Sequence, residues 1–332
     1  MRQAAQTAPD SLRQECLKRA FFRGESLRLE NPEYLRSVRT LLDELLGSDV
    51  GLGDLTVAAL KLADQSASAQ IVAKEDGVIA GVAEFCWLAS RAGLQAKIRR
   101  ADGEAIKAGD VVLEIEGRRS DLLAQERVGL NLLQRLSGIA TATRNLQEMV
   151  HRRNPDAQIV ATRKTPWGLL DKRAVHLGGG GTHRLGLWDA ILVKNNHLSL
   201  LADREEEAVR IAVERAWCAR QSAAFIEVEV RSEPAAIAGA AAFRRMQDSS
   251  VDGTSGDCPC LLLLDNMSPA GISATVAALS RQNLLDSILI EASGNISESN
   301  IEEYATCGAD AISMGTLTHS ARALDLCERL QA

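Results

Sequence analysis

The chain has 332 residues, a length that favours two domains, and its hydrophobic fraction of 46% is enough for a large core. Aromatic residues make up only 3% of the chain, and its formal net charge is −6. Both values argue against a nucleic-acid-binding surface, because such surfaces stack bases on aromatic rings and attract the polyanion with basic side chains.

The N-terminal segment is polar and carries charges of both signs, without the apolar stretch of a secretory signal. No later apolar run approaches the roughly 18 residues of a membrane-spanning helix. The seven cysteines are odd in number and widely spaced, which does not suit a disulfide framework. We therefore expect reduced thiols, a cytoplasmic location, and neither a membrane nor a nucleic-acid partner.

The first part of the chain predicts helices and then a small sheet. Leucines and valines recur at helical spacing up to Gly47, so residues 1–50 are predicted to be helical. Short apolar runs separated by turn residues then predict an α+β region. Its predicted elements are strands 67–73 and 78–80, helix 83–92, and strands 96–100 and 111–115.

The second part of the chain alternates between apolar runs and helical segments. A helix over 121–150, interrupted at Gly129 and Gly138, precedes six short apolar runs that each end in polar residues. Such continuous runs are typical of parallel strands buried under helices, and functional groups of parallel sheets gather at the carboxyl ends of the strands. The runs are residues 158–161, 190–193, 225–228, 260–264, 288–290 and 311–314.

Strand–helix alternation over roughly 170 residues predicts a closed or nearly closed β/α barrel, with an open doubly wound sheet as the competing fold. No Gly-x-Gly-x-x-Gly motif follows the first strand, so a dinucleotide site has little support. We predict an N-terminal α+β domain over residues 1–132 and a β/α-barrel catalytic domain over residues 133–320. A C-terminal helix over 321–332 is expected to pack on the N-terminal domain.

Positive charge is concentrated between residues 160 and 197, although the chain is acidic overall. This window holds six Arg and Lys residues against two Asp residues, with three His residues besides. Guanidinium and ammonium groups suit carboxylates and phosphates, so the window predicts a site for a substrate with more than one acidic group. A solvated helix face is the alternative, but several of these cations follow strands. The candidates are Arg163, Lys164, His183, Arg184 and Lys194.

A run of four glycines, residues 178–181, precedes His183 and Arg184. Glycine lets the backbone approach another molecule closely, so we expect the run to admit a ligand.

Two carboxylates, Glu229 and Asp265, are predicted at the ends of consecutive strands. Mg²⁺ prefers one or two carboxylates together with waters and substrate phosphates, so the pair predicts a magnesium site or a ribose contact. A structural ion pair with the nearby cations is the alternative. Glu227 lies within the same apolar run and faces either the barrel interior or the helices.

Small residues end the last two strands, with Ser293 and Gly294 after one and Gly315 and Thr316 after the other. The loops after the last strands of β/α barrels often bind phosphate through backbone N–H groups. We therefore predict phosphate contacts at Gly294 and Gly315, whereas His319 is either a ligand contact or a helix cap.

Eight short motifs occur in one order along the chain. They are Glu126-Arg127-x-x-Leu130-Asn131, Leu136-Ser137-Gly138-Ile139-Ala140-Thr141, Thr162-Arg163-Lys164-Thr165, His183-Arg184-Leu185-Gly186-Leu187, Glu227-Val228-Glu229-Val230, Leu264-Asp265-Asn266-Met267, Glu291-Ala292-Ser293-Gly294 and Gly315-x-x-Thr318-His319-Ser320. Together they resemble the quinolinate phosphoribosyltransferases, also called nicotinate-nucleotide pyrophosphorylases (carboxylating). The resemblance extends from Gly51-x-Gly53-Asp54-Leu55-Thr56 to the C-terminus.

The resemblance implies the type II phosphoribosyltransferase fold, in which an N-terminal α/β domain precedes an incomplete β/α barrel. It implies transfer of a phosphoribosyl group from phosphoribosyl pyrophosphate (PRPP) to quinolinate, which gives nicotinate mononucleotide, pyrophosphate and CO₂. It also implies Mg²⁺ as the cofactor, and a homodimer or larger homo-oligomer whose sites are shared between subunits.

The resemblance further implies a role for each matching residue. The catalytic candidates are Lys164, Glu229 and Asp265, of which Glu229 and Asp265 would bind Mg²⁺ and ribose hydroxyls. The carboxylates of quinolinate would be held by Arg163, Lys164, His183 and Arg184. The phosphoribosyl donor would contact Lys194, Ser293, Gly294 and Gly315, with His319 as a further substrate contact. Arg127 would reach the site of the neighbouring subunit.

One loop and two positions depart from the family pattern. The loop over residues 165–171 is about two residues shorter than the family's usual form, Asn195 stands where an Asp is common, and Asn295 stands where a Gly is common. Asn195 removes one carboxylate near the metal, and Asn295 removes one flexible phosphate contact. Two alternatives therefore stay open. One is a related phosphoribosyltransferase, from the branch associated with molybdenum transport or with another acidic base as substrate. The other is a barrel that binds a phosphosugar without turnover. Lys194 and Asn196 favour the quinolinate branch.

Overall fold

The computed structural model describes residues 7–61, 65–249 and 258–331, and side chains from Leu12 onward. Residues 1–6 of the predicted helical region, and Ala332 of the predicted C-terminal helix, lie outside it. The chain forms two compact units. Of the described residues, the barrel unit holds 7–23, 146–163 and 180–316, and the sheet unit holds 24–145, 164–179 and 317–331. Because both units are discontinuous, they do not test a single cut after residue 132, which stays a prediction.

Helices and strands follow one another in the predicted rhythm. The first ten elements are α1 (Thr7–Phe21), α2 (Pro32–Val50), α3 (Leu55–Leu60), β1 (Ser66–Ala73), β2 (Gly77–Val78), α4 (Val82–Arg91), β3 (Gln95–Ile98), β4 (Ala105–Ile106), β5 (Val111–Arg118) and α5 (Arg119–Arg153). The others are β6 (Gln158–Val160), α6 (Leu169–Leu177), β7 (Ile191–Val193), α7 (Asn195–Leu198), α8 (Glu205–Cys218), β8 (Ile226–Val230), α9 (Glu233–Asp248), β9 (Cys260–Asp265), α10 (Pro269–Arg281), β10 (Leu289–Ser293), α11 (Ile301–Ala305), β11 (Ala311–Ser313), α12 (Thr316–His319) and β12 (Leu326–Gln331). None of the described helices is both long enough and apolar enough to span a membrane.

The six parallel strands of the barrel unit pair in the order β6-β11-β10-β9-β8-β7. Each strand, or the residue just before it, contributes one apolar side chain to a common core that α1 completes. The core side chains are Val160, Ala190, Phe225, Leu261, Leu289 and Ala311 from the sheet, and Leu17, Ala20 and Phe21 from α1. In the described part of the chain β6 and β7 do not pair with each other, so the barrel is incomplete. The predicted fold class is confirmed.

Helix α2 begins and ends for local reasons. The side chain of Asn31 accepts the N–H of Glu33 and caps the first turn. The helix continues through Gly47, where the regular spacing of leucines and valines ends, to Val50, the predicted end of the helical region. It ends at Gly51, whose φ of 51° lies in the left-handed region that glycine adopts without strain.

Helix α5 is continuous, so the predicted interruptions at Gly129 and Gly138 are wrong. Both glycines permit close packing within the sheet unit. A Cβ atom at Gly138 would lie 2.0 Å from the carbonyl oxygen of Arg322, and one at Gly129 would lie 2.5 Å from the ring of Phe85. The missing side chains therefore let neighbouring segments approach the helix.

The C-terminal segment ends in a strand, so the predicted helix over 321–332 is wrong. Strand β12 pairs antiparallel with β1 in the sheet β12-β1-β5-β3, where Leu326 lies opposite Ala73 and Gln331 opposite Ser68. Its Leu, Glu and Arg residues favour helices locally. However, β1 would otherwise expose a row of unpaired backbone groups, and β12 satisfies them. Long-range pairing overrides local propensity here.

The packing of Gly138 predicts opposite effects for two glycine-to-alanine substitutions in the sheet unit. G138A should lower the free energy of unfolding by about 1–3 kcal/mol, because the added methyl group would overlap the backbone of Arg322. G47A should raise it by about 1 kcal/mol through helix propensity, because a Cβ atom there would meet nothing within 4 Å. Urea unfolding measures both changes, and a G138A protein as stable as G47A would contradict this packing.

Candidate functional site

The polar interior of the barrel unit follows from strand alternation. Side chains alternate across a strand, so Glu227 and Glu229 of β8 face the same side as Phe225, which belongs to the barrel core. Glu291 of β10 faces the side of the core residue Leu289 in the same way. Glu227, whose direction the sequence left open, therefore faces the interior.

His183, Glu227 and Glu291 form a buried cluster in this interior. Nε2 of His183 lies 3.1 Å from Oε2 of Glu227 and 3.0 Å from Oε2 of Glu291, and the three residues are at most 5% exposed. The imidazole stacks on Phe21 with ring centroids 4.8 Å apart, and Phe225 meets it edge-on at 5.3 Å. Because these apolar rings exclude water, each polar group in the cluster depends on the others.

Burial and mutual attraction change the pKa values of the cluster. Burial acts to lower the pKa of His183, and attraction to Glu291 and Glu227 acts to raise it, while the N–H of Arg184 directed at Nδ1 opposes a second hydrogen on the ring. Burial and repulsion from Glu291 raise the pKa of Glu227 to about 8. Burial acts to raise the pKa of Glu291, yet His183 lowers it. At neutral pH the cluster therefore retains a proton on Glu227 and keeps Glu291 ionised beside the imidazole.

Arg184 carries a buried guanidinium whose hydrogen-bonding capacity is only partly used. The residue is 5% exposed, and its Nη1 donates to the carbonyl oxygen of Ala190 at 3.4 Å. Among the described residues, its buried Nε has no hydrogen-bond partner. Burial and the nearby charge of Arg163 lower the pKa of Arg184. Two neighbouring cations, one of them buried and short of acceptors, favour an anionic ligand.

Several contacts hold the loop that carries Arg184. The N–H and the hydroxyl of Thr182 both donate to the carbonyl oxygen of Phe21, at 2.6 and 2.9 Å. The carboxylate of Asp189 accepts a backbone N–H within the loop at 2.8 Å and pairs with Arg23 at 3.0 Å. The loop is thus anchored at both ends, which restricts the directions open to Arg184.

The glycine run 178–181 packs against protein. A Cβ atom at Gly181 would lie 2.8 Å from the side chain of Val160, and one at Gly178 would lie 2.5 Å from the carbonyl oxygen of Ala140. The expectation that the run admits a ligand is wrong for these two glycines, because neighbouring chain fills the space their missing side chains leave.

Glu229 and Asp265 lie close together near the carboxyl ends of β8 and β9. Burial and repulsion from Asp265 raise the pKa of Glu229. Arg231 reaches both carboxylates, with its Nη2 3.7 Å from Oε1 of Glu229 and its Nε donating to Oδ2 of Asp265 at 3.2 Å. Two mutually repelling carboxylates are the donors that Mg²⁺ prefers, and a divalent cation would relieve the repulsion. The pair fits Mg²⁺, and Arg231 competes for the same oxygens.

Lys194 and Asn195 lie beside Glu229. The charge of Lys194 acts to lower the pKa of Glu229, and the N–H of Asn195 points at Oε1 of Glu229 from 3.5 Å. Nδ1 of His197 accepts the N–H of Lys194 at 2.9 Å and so caps α7. Asn195 therefore contributes a backbone donor at the position where a family carboxylate is common.

The chain after β10 forms a polar turn. The N–H of Asn266 donates to the carbonyl oxygen of Ser293 at 2.8 Å, and Nδ2 of Asn295 donates to Oδ1 of Asn266 at 3.1 Å. The hydroxyl of Ser313 donates to that of Ser293 at 2.9 Å. A Cβ atom at Gly294 would lie 2.4 Å from Oδ1 of Asn266. Asn295 has a φ of 53°, which asparagine tolerates better than most residues, so it can stand in for glycine here.

Lys164 belongs to the sheet unit, where its carbonyl oxygen accepts the hydroxyl of Thr318 at 2.7 Å. Arg135 orders this region, because its guanidinium binds both oxygens of the buried Asp171 at 2.9 Å and donates to the carbonyl oxygen of Thr318 at 3.0 Å. The bidentate pair thus supports the backbone that presents the exposed Lys164 side chain.

The structure places most of the predicted site residues in the barrel unit and leaves their roles as predictions. Those of the barrel unit are Arg163, His183, Arg184, Lys194, Glu229, Asp265, Ser293, Gly294 and Gly315. Lys164, Arg127 and His319 lie in the sheet unit and are exposed. Sequence reasoning missed Glu291 and Arg231. A carboxylate at an inward position of an apolar strand was an available signal for Glu291, whereas nothing in the strand pattern marked Arg231.

An incomplete β/α barrel joined to a separate antiparallel sheet defines the fold class of the type II phosphoribosyltransferases. Two family models match the chain, those for the N-terminal domain of quinolinate phosphoribosyl transferase over residues 54–137 and for its C-terminal domain over residues 139–327. The chain belongs to the quinolinate phosphoribosyl transferase family.

Relatives and solved structures agree with the family assignment. A probable nicotinate-nucleotide pyrophosphorylase (carboxylating) of Methanothermobacter thermautotrophicus is 37% identical over 288 residues, which cover 86% of this chain and 96% of the relative. The quinolinate phosphoribosyltransferase (decarboxylating) 2a of Nicotiana tabacum is 32% identical over 314 residues, which cover 92% of this chain and 85% of the relative. The crystal structure of NadC from Streptococcus pyogenes matches with a TM-score of 0.74 at 33% identity, and the match covers 89% of this chain and 96% of that one.

The contacts of Arg231 predict that it weakens divalent-cation binding in the absence of substrates. R231Q should bind Mn²⁺, a spectroscopic substitute for Mg²⁺, about fivefold more tightly, because one positive charge is removed from beside two carboxylates. Electron paramagnetic resonance of free Mn²⁺ measures the affinity. R244Q, the same change at an exposed arginine paired with Asp248, should leave the affinity unchanged. Equal affinity of R231Q and wild type would contradict the competition.

Proposed function

We propose that this protein is a quinolinate phosphoribosyltransferase, which joins quinolinate to the phosphoribosyl group of PRPP and releases pyrophosphate and CO₂ to give nicotinate mononucleotide. The observation that carries the proposal is the buried guanidinium of Arg184, with an unpartnered Nε and the like charge of Arg163 nearby. Such a guanidinium can bind the carboxylates of a substrate.

Quinolinate presents two adjacent carboxylates on a pyridine ring, and a pair of arginines matches that chemistry. Arg184 reaches the site from a loop anchored to Phe21 and Arg23, so its guanidinium is held before the substrate arrives. Arg163 follows strand β6, three residues after its last residue, Val160. In the proposal these side chains, together with Lys164 next along the chain, hold quinolinate by its carboxylates.

We assign the phosphoribosyl donor to the residues at the ends of β10 and β11. Ser293, Gly294 and Gly315 would bind the 5′-phosphate, and His319 is a further candidate contact. The successive positive φ angles of Gly294 (99°) and Asn295 (53°) support the assignment, because a backbone reversal of this kind can direct N–H groups towards a phosphate. Lys194 would contact the pyrophosphate end of PRPP from beside Glu229.

Transfer requires loss of pyrophosphate from C1 of the ribose, which develops positive charge on the sugar and negative charge on the leaving group. Glu229 and Asp265 would hold Mg²⁺, which when bound offsets the charge of the pyrophosphate. The same carboxylates favour positive charge on the ribose, and Lys164 and Lys194 stabilise the departing phosphates.

Decarboxylation follows from the new bond. Once the pyridine nitrogen carries the ribose, it has a fixed positive charge beside the 2-carboxylate. The electron pair of the bond to CO₂ can then remain at C2, next to that charge, until C2 takes a proton. In this step Arg184 and its neighbours orient the carboxylate and exclude water, and no side chain needs to bond covalently to the substrate.

Assembly and location belong to the same proposal. Arg127 is exposed on α5, and its guanidinium lies 3.8 Å from the carboxylate of its neighbour Glu126, a distance that leaves it available to another chain. We infer a homodimer, or a larger homo-oligomer, in which Arg127 serves the site of the adjacent subunit. A cytoplasmic location fits the seven free cysteines.

A turnover assay tests the function directly. Purified protein with PRPP, Mg²⁺ and quinolinate should release pyrophosphate and CO₂ in equal amounts and form nicotinate mononucleotide. Nicotinate and orotate serve as controls, because the first lacks the 2-carboxylate and the second is a different acidic base. Pyrophosphate release with orotate and none with quinolinate would overturn the proposal in favour of a related transferase, and binding of PRPP without any product would overturn it in favour of a binding protein.

Shared sites predict that two inactive variants complement each other. R127A and K164A should each be nearly inactive alone, and their co-expression should restore about a quarter of wild-type activity, since half of randomly formed dimers are mixed and each mixed dimer has one intact site. K164A co-expressed with R184A provides the control. Both residues are assigned to the same chain's contribution to a site, so no mixed dimer has an intact one. Restoration by the control pair, or none by the first pair, would argue against sharing through Arg127.

A further inference from the structure

Both ring nitrogens of His183 are engaged inside the barrel unit. Nε2 lies 3.1 Å from Glu227 and 3.0 Å from Glu291, and Nδ1 accepts the backbone N–H of Arg184 at 2.7 Å. The ring is buried against Phe21 and Phe225. In this arrangement neither nitrogen is available to a carboxylate of quinolinate.

The hydrogen bond from Arg184 decides which ring nitrogen carries the hydrogen. A nitrogen that accepts a hydrogen bond must present a lone pair, so Nδ1 is unprotonated and the hydrogen lies on Nε2. Nε2 then lies 3.1 Å from Glu227 and 3.0 Å from Glu291, and the negative charge of the ionised Glu291 attracts its hydrogen. The two glutamates therefore select the tautomer in which Nδ1 is an acceptor.

The same hydrogen bond argues against a metal centre. His183, Glu227 and Glu291 present ligand atoms within 4.8 Å of one another, a spacing that a transition metal could bridge. A metal at Nε2 would need the lone pair of that nitrogen, and the hydrogen would have to move to Nδ1, where the N–H of Arg184 already points. The hydrogen bond at Nδ1 therefore favours a supporting role for the cluster over metal binding.

The backbone at His183 shows what the support achieves. His183 has a φ of 53°, in the left-handed region that few residues other than glycine, asparagine, aspartate and histidine adopt readily. The bond from Arg184 N–H to the ring stabilises this conformation locally. Because the reversal occurs one residue before Arg184, it sets the direction in which the Arg184 side chain leaves the backbone.

We propose that His183 is a positioning residue, held by Glu227 and Glu291 so that its Nδ1 fixes the backbone of Arg184 and aims the Arg184 guanidinium at a carboxylate of quinolinate. The inference rests on the proposed function and replaces the direct contact that the family resemblance implies for His183. It assigns roles to Glu227 and Glu291, two buried carboxylates that the proposed chemistry does not use.

Two substitutions separate the two nitrogens. In H183N the amide oxygen takes the place of Nδ1, and asparagine tolerates the left-handed backbone, but the side chain is too short to reach the glutamates. In H183Q the amide nitrogen takes the place of Nε2 and can donate to the glutamates, but nothing accepts the N–H of Arg184. H183N therefore keeps the acceptor for the N–H of Arg184, and H183Q keeps the donor that faces the two glutamates.

The expected results run in opposite directions. H183N should keep the quinolinate KM within about twofold of wild type but lose more thermal stability, because two buried carboxyl groups lose their donor. H183Q should be the more stable variant, yet its quinolinate KM should rise about tenfold, the effect of one lost buried hydrogen bond. The KM for PRPP should stay within about twofold of wild type in both. A general structural role would make stability and KM change together.

Equal increases in quinolinate KM in the two variants would overturn the inference, because direct contact through the ring predicts that result. Unchanged KM values in both would overturn it as well, since Arg184 would then not depend on His183. If H183N does not fold, H183N combined with E291Q supplies an amide donor for Glu227 and takes its place. Wild-type protein that does not turn over quinolinate would instead overturn the proposed function.

Nuclear magnetic resonance tests the tautomer without any substitution. With histidine ¹⁵N-labelled, long-range ¹⁵N–¹H correlation distinguishes a protonated from an unprotonated ring nitrogen, and the chain has only five histidines to assign. We expect His183 to have an unprotonated Nδ1 and a protonated Nε2, and a hydrogen on Nδ1 would overturn the inference. Elemental analysis of chelator-treated protein should find no stoichiometric transition metal, whereas a bound metal that is lost in H183N would overturn it too.

Discussion

Charge buried inside an apolar barrel is the constraint on which the rest of this structure depends. Glu227 and Glu291 face inward on β8 and β10, where water cannot solvate them, and carboxylates in such places are strongly destabilising unless they are paired. His183 supplies the pairing, so the loop that carries it must lie against the interior. Arg184 is the next residue, and its position follows from that requirement. The stability of the interior and the placement of the Arg184 guanidinium are therefore coupled through one imidazole.

The same electrostatics operate toward the carboxyl ends of the strands. Burial raises the pKa of Glu229, and repulsion from Asp265 adds to the effect. A raised carboxyl pKa means that ionising Glu229 costs folded stability as the pH rises above its ordinary value, and a bound cation offsets that cost. The positive charge of Arg231, which lies close to both carboxylates, offsets part of this cost. In the proposed function, substrates and a metal would offset the remaining charge of these acids and of the buried arginine. Such sites commonly reduce stability in exchange for function.

Much of this architecture could be predicted from the sequence. The six apolar runs of the second half are strands. They could be predicted because a strand buried on both faces is a continuous apolar run in the sequence. The polar groups after them were predicted to converge because parallel strands end at one edge. Other features depended on contacts distant in sequence. β12 is a strand because β1 needed a partner, and α5 runs through Gly129 and Gly138 because neighbouring segments use the space those glycines leave. No local pattern contains that information.

By itself, the sequence determined the fold class and the kinds of chemical group at the site, since both follow from apolar periodicity and from motif order. Only the tertiary structure decided which of these groups face one another. Whether Glu227 points inward, whether His183 meets a substrate or two glutamates, and whether Arg231 reaches Asp265 depend on sheet curvature and loop path. Those are properties of the packed chain, because the partners lie between 34 and 108 residues apart and meet only when the sheet has formed.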